Sequence, residues 1–563
     1  MTLVEAVSQY IEPSSSIHVA YSDARPNAAL LEIVRQFVGR SPNFTLSTAG
    51  LVSVQHALVA KGLVRRLIAS FVGDNYPSPA PHEAFRRAIG NKELEVESWS
   101  MYSLIARLMA GALGVDFFPV RSLAGSDMAK DLQPNGFAEV QNPFGDGLVG
   151  VVRALRPDVT LLQGVAADPA GNVVLAPPYG EGVWGSLAAK KGVIASVERV
   201  LSSDELIALN HLVKVPSHVV LAVCEVPFGS HPYGLYNPGV PGVSSYAADH
   251  DFLVDVRKRS SSSDAFNEWI DEWVLELQDH EAYLRRVGYR TLSRLRSEAD
   301  PAYWEVELLK EEPQAPESPF DTERMVIAAA EELVDRINVG GLEAILAGVG
   351  YANLAAWLAE RHLNTAGHQV ALMAEIGMFG YTPRPGDPFI FSIRNFPTCI
   401  ELTDVLSVLG TFVSGPATRC IGVLGAGQVD RQGNLNSTWT PDGDYIVGSG
   451  GANDIATAAD EVLVTVKHDA ERLVERVTYI TCPGSNVSTI VTTEGVLRRI
   501  NNEFVLVGYF EKGAESSEEA VRRIRSVTGW GLEALDSPVR IPAPSKADLA
   551  TIRSFDPRRT FLR

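Results

Sequence analysis

The residue whose surroundings best suit covalent chemistry is Glu375, in the run Ala374-Glu375-Ile376-Gly377-Met378-Phe379-Gly380. An apolar segment, residues 370–373, leads into it, and two glycines follow that let the chain turn and let a ligand approach the backbone. Met373, Ile376, Met378 and Phe379 surround it with apolar side chains. A carboxylate there loses hydration, which strengthens it as a nucleophile while raising its pKa. The competing structural reading is a glutamate that caps a helix or pairs with Arg384.

Two glycine-rich turns could serve such a nucleophile. Residues 447–454 read VGSGGAND and residues 348–353 read GVGYAN, each just before a helix-like stretch. Successive N–H groups at such turns can hold an oxyanion or a phosphate. Neither is GxGxxG, and no Lys-Ser or Lys-Thr follows. A plain tight turn is the alternative for both. Arg121, Ser126 and Asp127 are candidates to hold a substrate carboxylate, Arg121 bidentately, against an ordinary surface salt bridge. Arg384 and Arg394 read as solvated arginines or as contacts to phosphate. The eleven histidines show no metal-ligand spacing, so no metal site is expected. Cys224, Cys399, Cys420 and Cys482 form no CxxC pair, which fits free thiols in a reducing compartment.

The elements that must position these groups are β-rich runs alternating with amphipathic stretches. Runs lie at residues 17–20, 159–162, 219–223, 370–373, 462–466 and 504–507, and residues 28–38 after Pro26 form a helical stretch. This alternation predicts α/β lobes with mainly parallel sheets flanked by helices. The segment EEPQAPESP at residues 311–319 cannot pack a core and reads as a linker. Asp321 is placed to cap the following helix, with Gly340-Gly341 to stop it. The expected organisation is therefore a domain at 1–310, a linker at 311–320 and a domain at 321–563. The two sides resemble each other. Asp168, Gly171 and Asn172 recur as Asp430, Gly433 and Asn434 at one constant offset, and residues 193–197 answer residues 462–466 at nearly the same offset. Such ordered matches predict an internal duplication.

The chain has 563 residues, 46% of them hydrophobic and 21% charged, a globular composition too long for one ordinary core. A formal net charge of -19 argues against nucleic-acid binding. With no long apolar run and no leader-like N-terminus, a cytoplasmic protein without a membrane span is expected.

The order of glycine turn, Glu-x-Gly-x-x-Gly and Gly-Gly-Ala-x-Asp resembles the β half of the family I CoA-transferases, as does the run at residues 424–437, LGAGQVDRQGNLNS. Residues 97–115, ESWSMYSLIARLMAGALGV, then 119–127, PVRSLAGSD, and 166–173, AADPAGNV, resemble the α half, in the manner of the glutaconate CoA-transferases. The resemblance covers nearly the whole chain and implies both subunits fused in one chain of two similar lobes. It implies that CoA moves from an acyl-CoA to a small carboxylic or dicarboxylic acid through a glutamyl-CoA thioester on Glu375. Backbone N–H groups at Gly350, Tyr351, Gly450 and Gly451 would stabilise the oxyanions. Glu97, matching an α-half glutamate, joins Arg121, Ser126 and Asp127 at the substrate. Coenzyme A enters as substrate rather than as a resident cofactor, and a homo-oligomer is expected. The chain departs from the family's pattern in Ala374 and Ile376, which flank the glutamate in place of Ser and Asn, and in Ala20-Tyr21-Ser22-Asp23, in place of a Gly-Gly-Phe-like turn. An acyl-CoA hydrolase, decarboxylase or C–C lyase on the same fold, and a non-catalytic acyl-CoA-binding protein, are the alternatives.

Overall fold

Strands buried on both faces need helices on both sides, and the central strands here are of that kind: all nine residues of Val159–Ala167 are buried. A computed structural model describes every residue except Asp23, Asn75, Pro77, Ser78, 310–317, Ala417 and Arg563. The expected linker thus falls mostly outside the described residues.

Chain contacts define two compact units. The first comprises Met1–Val120, Leu132–Tyr303 and Leu402–Leu406; the second comprises Arg121–Asp131, Trp304–Glu401 and Ser407–Arg563. Arg121–Asp131 is thus grouped with the second unit and Leu402–Leu406 with the first.

In the first unit, strands β1 (Ser16–Val19), β2 (Phe44–Leu51), β3 (Val64–Val72), β4 (Glu95–Ser98), β5 (Val159–Ala167), β6 (Gly192–Val200) and β7 (Val220–Glu225) pair in parallel. Their order is β7-β6-β5-β1-β2-β3-β4. The helix Asn27–Phe37 (α1) follows β1, and Pro26 sits at its N-cap rather than inside it. In the second unit, β8 (Ala344–Ala347), β9 (Ala371–Ala374), β11 (Cys420–Gly425), β12 (Glu461–Val466) and β13 (Val487–Thr492) are parallel, and the two-residue β10 (Met378–Phe379) returns antiparallel on β9. The order is β10-β9-β8-β11-β12-β13, followed by three further strands.

The orders β2-β1-β5-β6-β7 and β9-β8-β11-β12-β13 are the same topology twice. The repeated Asp, Gly and Asn do the same work in each. Asp168 accepts from the Asn172 N–H at 2.9 Å and side-chain amide at 3.0 Å; Asp430 accepts from Asn434 at 2.9 and 3.1 Å. The asparagine oxygen then accepts the N–H of Ser217 at 3.1 Å in one unit and of Gly484 at 2.9 Å in the other. Gly171 and Gly433 supply the positive φ, 104° and 81°, that the turn requires. The shared motif is thus a structural staple of the scaffold, not a catalytic one.

Helix α2 (Asp321–Gly340) ends at Gly341 with φ 61°, as its glycines predicted. Its start differs from expectation. Asp321 is the first helical residue, and the N-terminal bond comes from Glu323, whose carboxylate accepts the Phe320 N–H at 2.9 Å. No helix among the described residues is long and apolar enough to cross a membrane.

Candidate active site

Glu375 stands one residue past the end of β9, where ligands gather in open parallel sheets. The chain reverses within three residues, because Ala374 already pairs with Met378. Gly377 makes this possible with φ 121°, a region that side chains resist, and its N–H closes on the Ala374 carbonyl at 3.1 Å. The turn throws the carboxylate off the strand end. Parallel β8 runs beside β9 with Leu346 opposite Met373, so the Gly348–Gly350 turn leaves its strand level with Glu375.

The second glycine turn reaches the same carboxylate. Gly448 and Gly450 take φ 88° and 52°, and Gly451 precedes helix α4 (Ala452–Ala458; α3 is Tyr351–Thr365). A Cβ on Gly451 would overlap Glu375 Oε2, so a side chain there would push the carboxylate aside. The Gly451 backbone lies against the carboxylate and favours its ionised form. Burial, and then the charge of Asp454 in the first turn of α4, push the Glu375 pKa up to about 7 against that pull. Asp454 is itself buried and also opposes ionisation of Cys482, whose thiol burial already holds above its ordinary range. No Lys or Arg among the described residues pairs with Glu375, and Arg384 lies instead over the Trp304 ring at 5.8 Å. The group is a desolvated carboxylate that ionises near neutrality with a backbone donor beside it. That suits it to attack a carbonyl carbon.

The other expected site residues divide. Gly451 meets Glu375, and Gly450 precedes it in the same turn. Gly350 has φ 105° at the start of α3, but its N–H is committed to Asn353 Oδ1 at 2.7 Å, so it is not free for an oxyanion. Tyr351, the first residue of α3, has no bond to its N–H among the described residues. Ser126 and Asp127 are taken up by structure. Ser126 Oγ donates to the Leu123 carbonyl at 2.6 Å and accepts from the Ala129 N–H at 3.2 Å. Asp127 accepts the Ile480 N–H at 2.6 Å and pairs with Lys130 at 2.5 Å. Arg121 is exposed. Glu97, in the first unit, is held by Arg66, by Trp99 Nε1 at 2.7 Å and by Arg107 at 2.8 Å, so its carboxylate is engaged by these three side chains. Arg394 pairs with Glu307 at 2.5 Å.

Sequence reasoning passed over Asn453. It is fully buried, accepts the Leu123 N–H at 2.8 Å, and donates to the Thr481 carbonyl at 2.8 Å. It thereby ties the turn beside Glu375 to residues 121–131. A buried Asn in the first turn of a helix after two glycines was the available signal. Histidine spacing also concealed a cluster. His56, Asp74 and His82 meet in the first unit, all buried, with the two rings stacked at 3.8 Å and His82 on Asp74 at 3.2 Å.

The second unit of this duplicated α/β scaffold thus holds a desolvated glutamate beside a glycine turn. The sequence pattern of the Coenzyme A transferase family matches residues 1–220 and 412–502, and the chain belongs to that family, enzymes that transfer CoA. Glu375 falls in the interval between the matched segments, while Gly451 and Asp454 lie inside one. One subunit of the 3-oxoadipate CoA-transferase of Pseudomonas knackmussii is 30% identical over 293 residues, 51% of this chain and 98% of the relative. The other subunit of that enzyme is 26% identical over 264 residues, 43% of this chain and 95% of the relative. Such shares fit one chain that joins both subunits. A subunit of the glutaconate CoA-transferase of Acidaminococcus fermentans is 26% identical over 324 residues, 53% of this chain and 94% of the relative. An acyl-CoA transferase from E. coli O157:H7, in thioester complex with CoA, shares the fold with TM-score 0.67 at 13% identity, over 96% of this chain and 95% of that one.

Proposed function

We propose that Glu375 carries the transfer through covalent intermediates. Its carboxylate attacks the acyl-CoA carbonyl, the C–S bond breaks, and CoA thiolate leaves an acyl-glutamyl anhydride. The thiolate then attacks the glutamyl carbonyl, which frees the donor acid and leaves a glutamyl-CoA thioester. An acceptor carboxylate runs the same two steps in reverse, leaving with CoA and restoring Glu375. Each addition passes through an oxyanion, and the Tyr351, Gly450 and Gly451 N–H groups are the proposed donors; one such donor contributes on the order of 3 kcal/mol.

The observation that carries this reading is the carboxylate itself: desolvated, beside the Gly451 backbone, with no cation among the described residues to quench it. The names of the 3-oxoadipate and glutaconate relatives support a small dicarboxylic acid among the substrates. The same proposal makes residues 1–310 and residues 321–563 the counterparts of the two separate subunits of the 3-oxoadipate relative, in that order. It includes association into dimers or larger assemblies, which light scattering reads.

The test is intact-protein mass spectrometry after exposure to a panel of acyl-CoAs. The wild-type chain gains the mass of a glutamyl-CoA adduct that borohydride reduces, and Glu375→Gln gains none. Turnover by the wild type with no adduct at any acyl-CoA overturns the covalent route in favour of a hydrolase or decarboxylase.

A further inference from the structure

The first unit carries a small sheet that is apolar on both faces. Its strands are Phe117–Val120, Leu148–Arg153 in the centre and Phe137–Gln141, paired antiparallel. Phe137 and Val152 stand opposite each other and are buried, which marks the inner face. The register puts the alternate set on the outer face: Phe117 and Pro119, Val149 and Val151, Ala138 and Val140. An antiparallel sheet with one face in water carries polar residues there. Here Phe117 is 57% exposed, and Val140 is exposed with it. The hairpin that joins the last two strands in the chain lifts Phe144 into solvent at 97%, and Leu148 beyond it is 63% exposed.

Apolar side chains held this far into water mark a surface that a partner covers. We propose that the partner is a second copy of this chain, which meets the outer face and the hairpin in a two-fold contact. The first argument is area. Together with Leu113 and Val115, exposed just before the first strand, the patch presents about 500 Å² of apolar side chain. A homodimer contact of standard size buries about 800 Å² on each copy, about two-thirds of it apolar, so the patch supplies one copy's share. The second argument is charge. A chain of net charge -19 repels its own copies wherever its acids are dense. The outer positions of this sheet carry no acid, and the one that remains is Arg153, opposite Phe117. A lipid surface would call for lysines and arginines around the apolar face. Residues 137–152 hold Glu139 and Asp146 and neither Lys nor Arg. The inference names the surface for the association proposed above and is independent of the chemistry at Glu375.

Analytical ultracentrifugation of the full chain over a dilution series tests it. The variants are Phe117→Asp and Phe144→Asp in the patch, with Val339→Asp, an exposed residue on α2 in the second unit, as control. The wild type and the control sediment as dimers or larger assemblies. Each aspartate in the patch raises the dissociation constant by about 100-fold or more, because a two-fold contact loses the residue twice. A monomeric wild type overturns the proposal, as does an assembly that dilutes apart alike in the wild type and both patch variants. A wild type that pellets with phosphatidylglycerol vesicles, and a Phe144→Asp that does not, assigns the face to lipid and also overturns it. The Glu375 adduct is read on the same samples. Its absence from wild-type dimers that Phe117→Asp splits sinks the covalent route and leaves this surface standing; its formation in a monomeric wild type does the reverse.

Discussion

On the proposed covalent route, the charge of Asp454 limits the pH range in which Glu375 acts, and replacing it with Asn tests this directly. The Glu375 pKa rises from 4.5 to about 7, with burial the larger cause and Asp454 the second, opposed by the Gly451 backbone. Removing the Asp454 charge, the smaller of the two raising causes, recovers part of the rise, roughly one pKa unit. The nucleophile is the ionised carboxylate, so adduct formation climbs with pH through its pKa. At pH 6, a group with a pKa near 7 is ionised in about one molecule in ten, and one with a pKa near 6 in about half. Asp454→Asn should then form adduct about five times faster than wild type at pH 6 and at the same rate above pH 8. Asp454→Glu, which keeps the charge, should hold the midpoint near 7. The assay is rapid-quench mass spectrometry of the adduct in single turnovers from pH 5 to 9, with melting curves to confirm the fold. A midpoint that stays in place or moves upward in Asp454→Asn refutes the electrostatic reasoning.

Two further outcomes follow from the geometry. Gly451→Ala places a methyl group on Glu375 Oε2, so it should reduce adduct formation by about two orders of magnitude or more, while near-UV circular dichroism stays unchanged. Glu97→Gln should lower stability by about 3 kcal/mol in urea titrations, because it leaves buried Arg107 without its counter-charge, yet adduct formation should proceed at the wild-type rate. Burial pushes the Glu97 carboxyl up, but Arg107, Trp99 and Arg66 together hold it below its ordinary value. The stability it contributes is present above the usual glutamate range and is lost as pH falls below it, so the wild-type and Glu97→Gln melting temperatures should converge in acid.

The scaffold was legible in the linear chain. Buried β-rich runs between amphipathic stretches admit few arrangements other than parallel sheets covered by helices, and the repeated Asp, Gly and Asn marked the duplication before any contact was known. The position of Glu375 at a strand end was legible too, because an apolar strand, an acid and a glycine reversal are consecutive in the chain. What surrounds the carboxylate came from folding. That the Gly451 backbone meets Glu375 depends on sheet order, and that Gly350 does not offer its N–H depends on whether Asn353 folds back to take it. The roles of Ser126, Asp127 and Glu97 turned on which partners packing brought to them, such as Ile480 for Asp127, far away in the chain. Local periodicity and turn chemistry act over a few residues, whereas charge pairing and desolvation depend on distances in space.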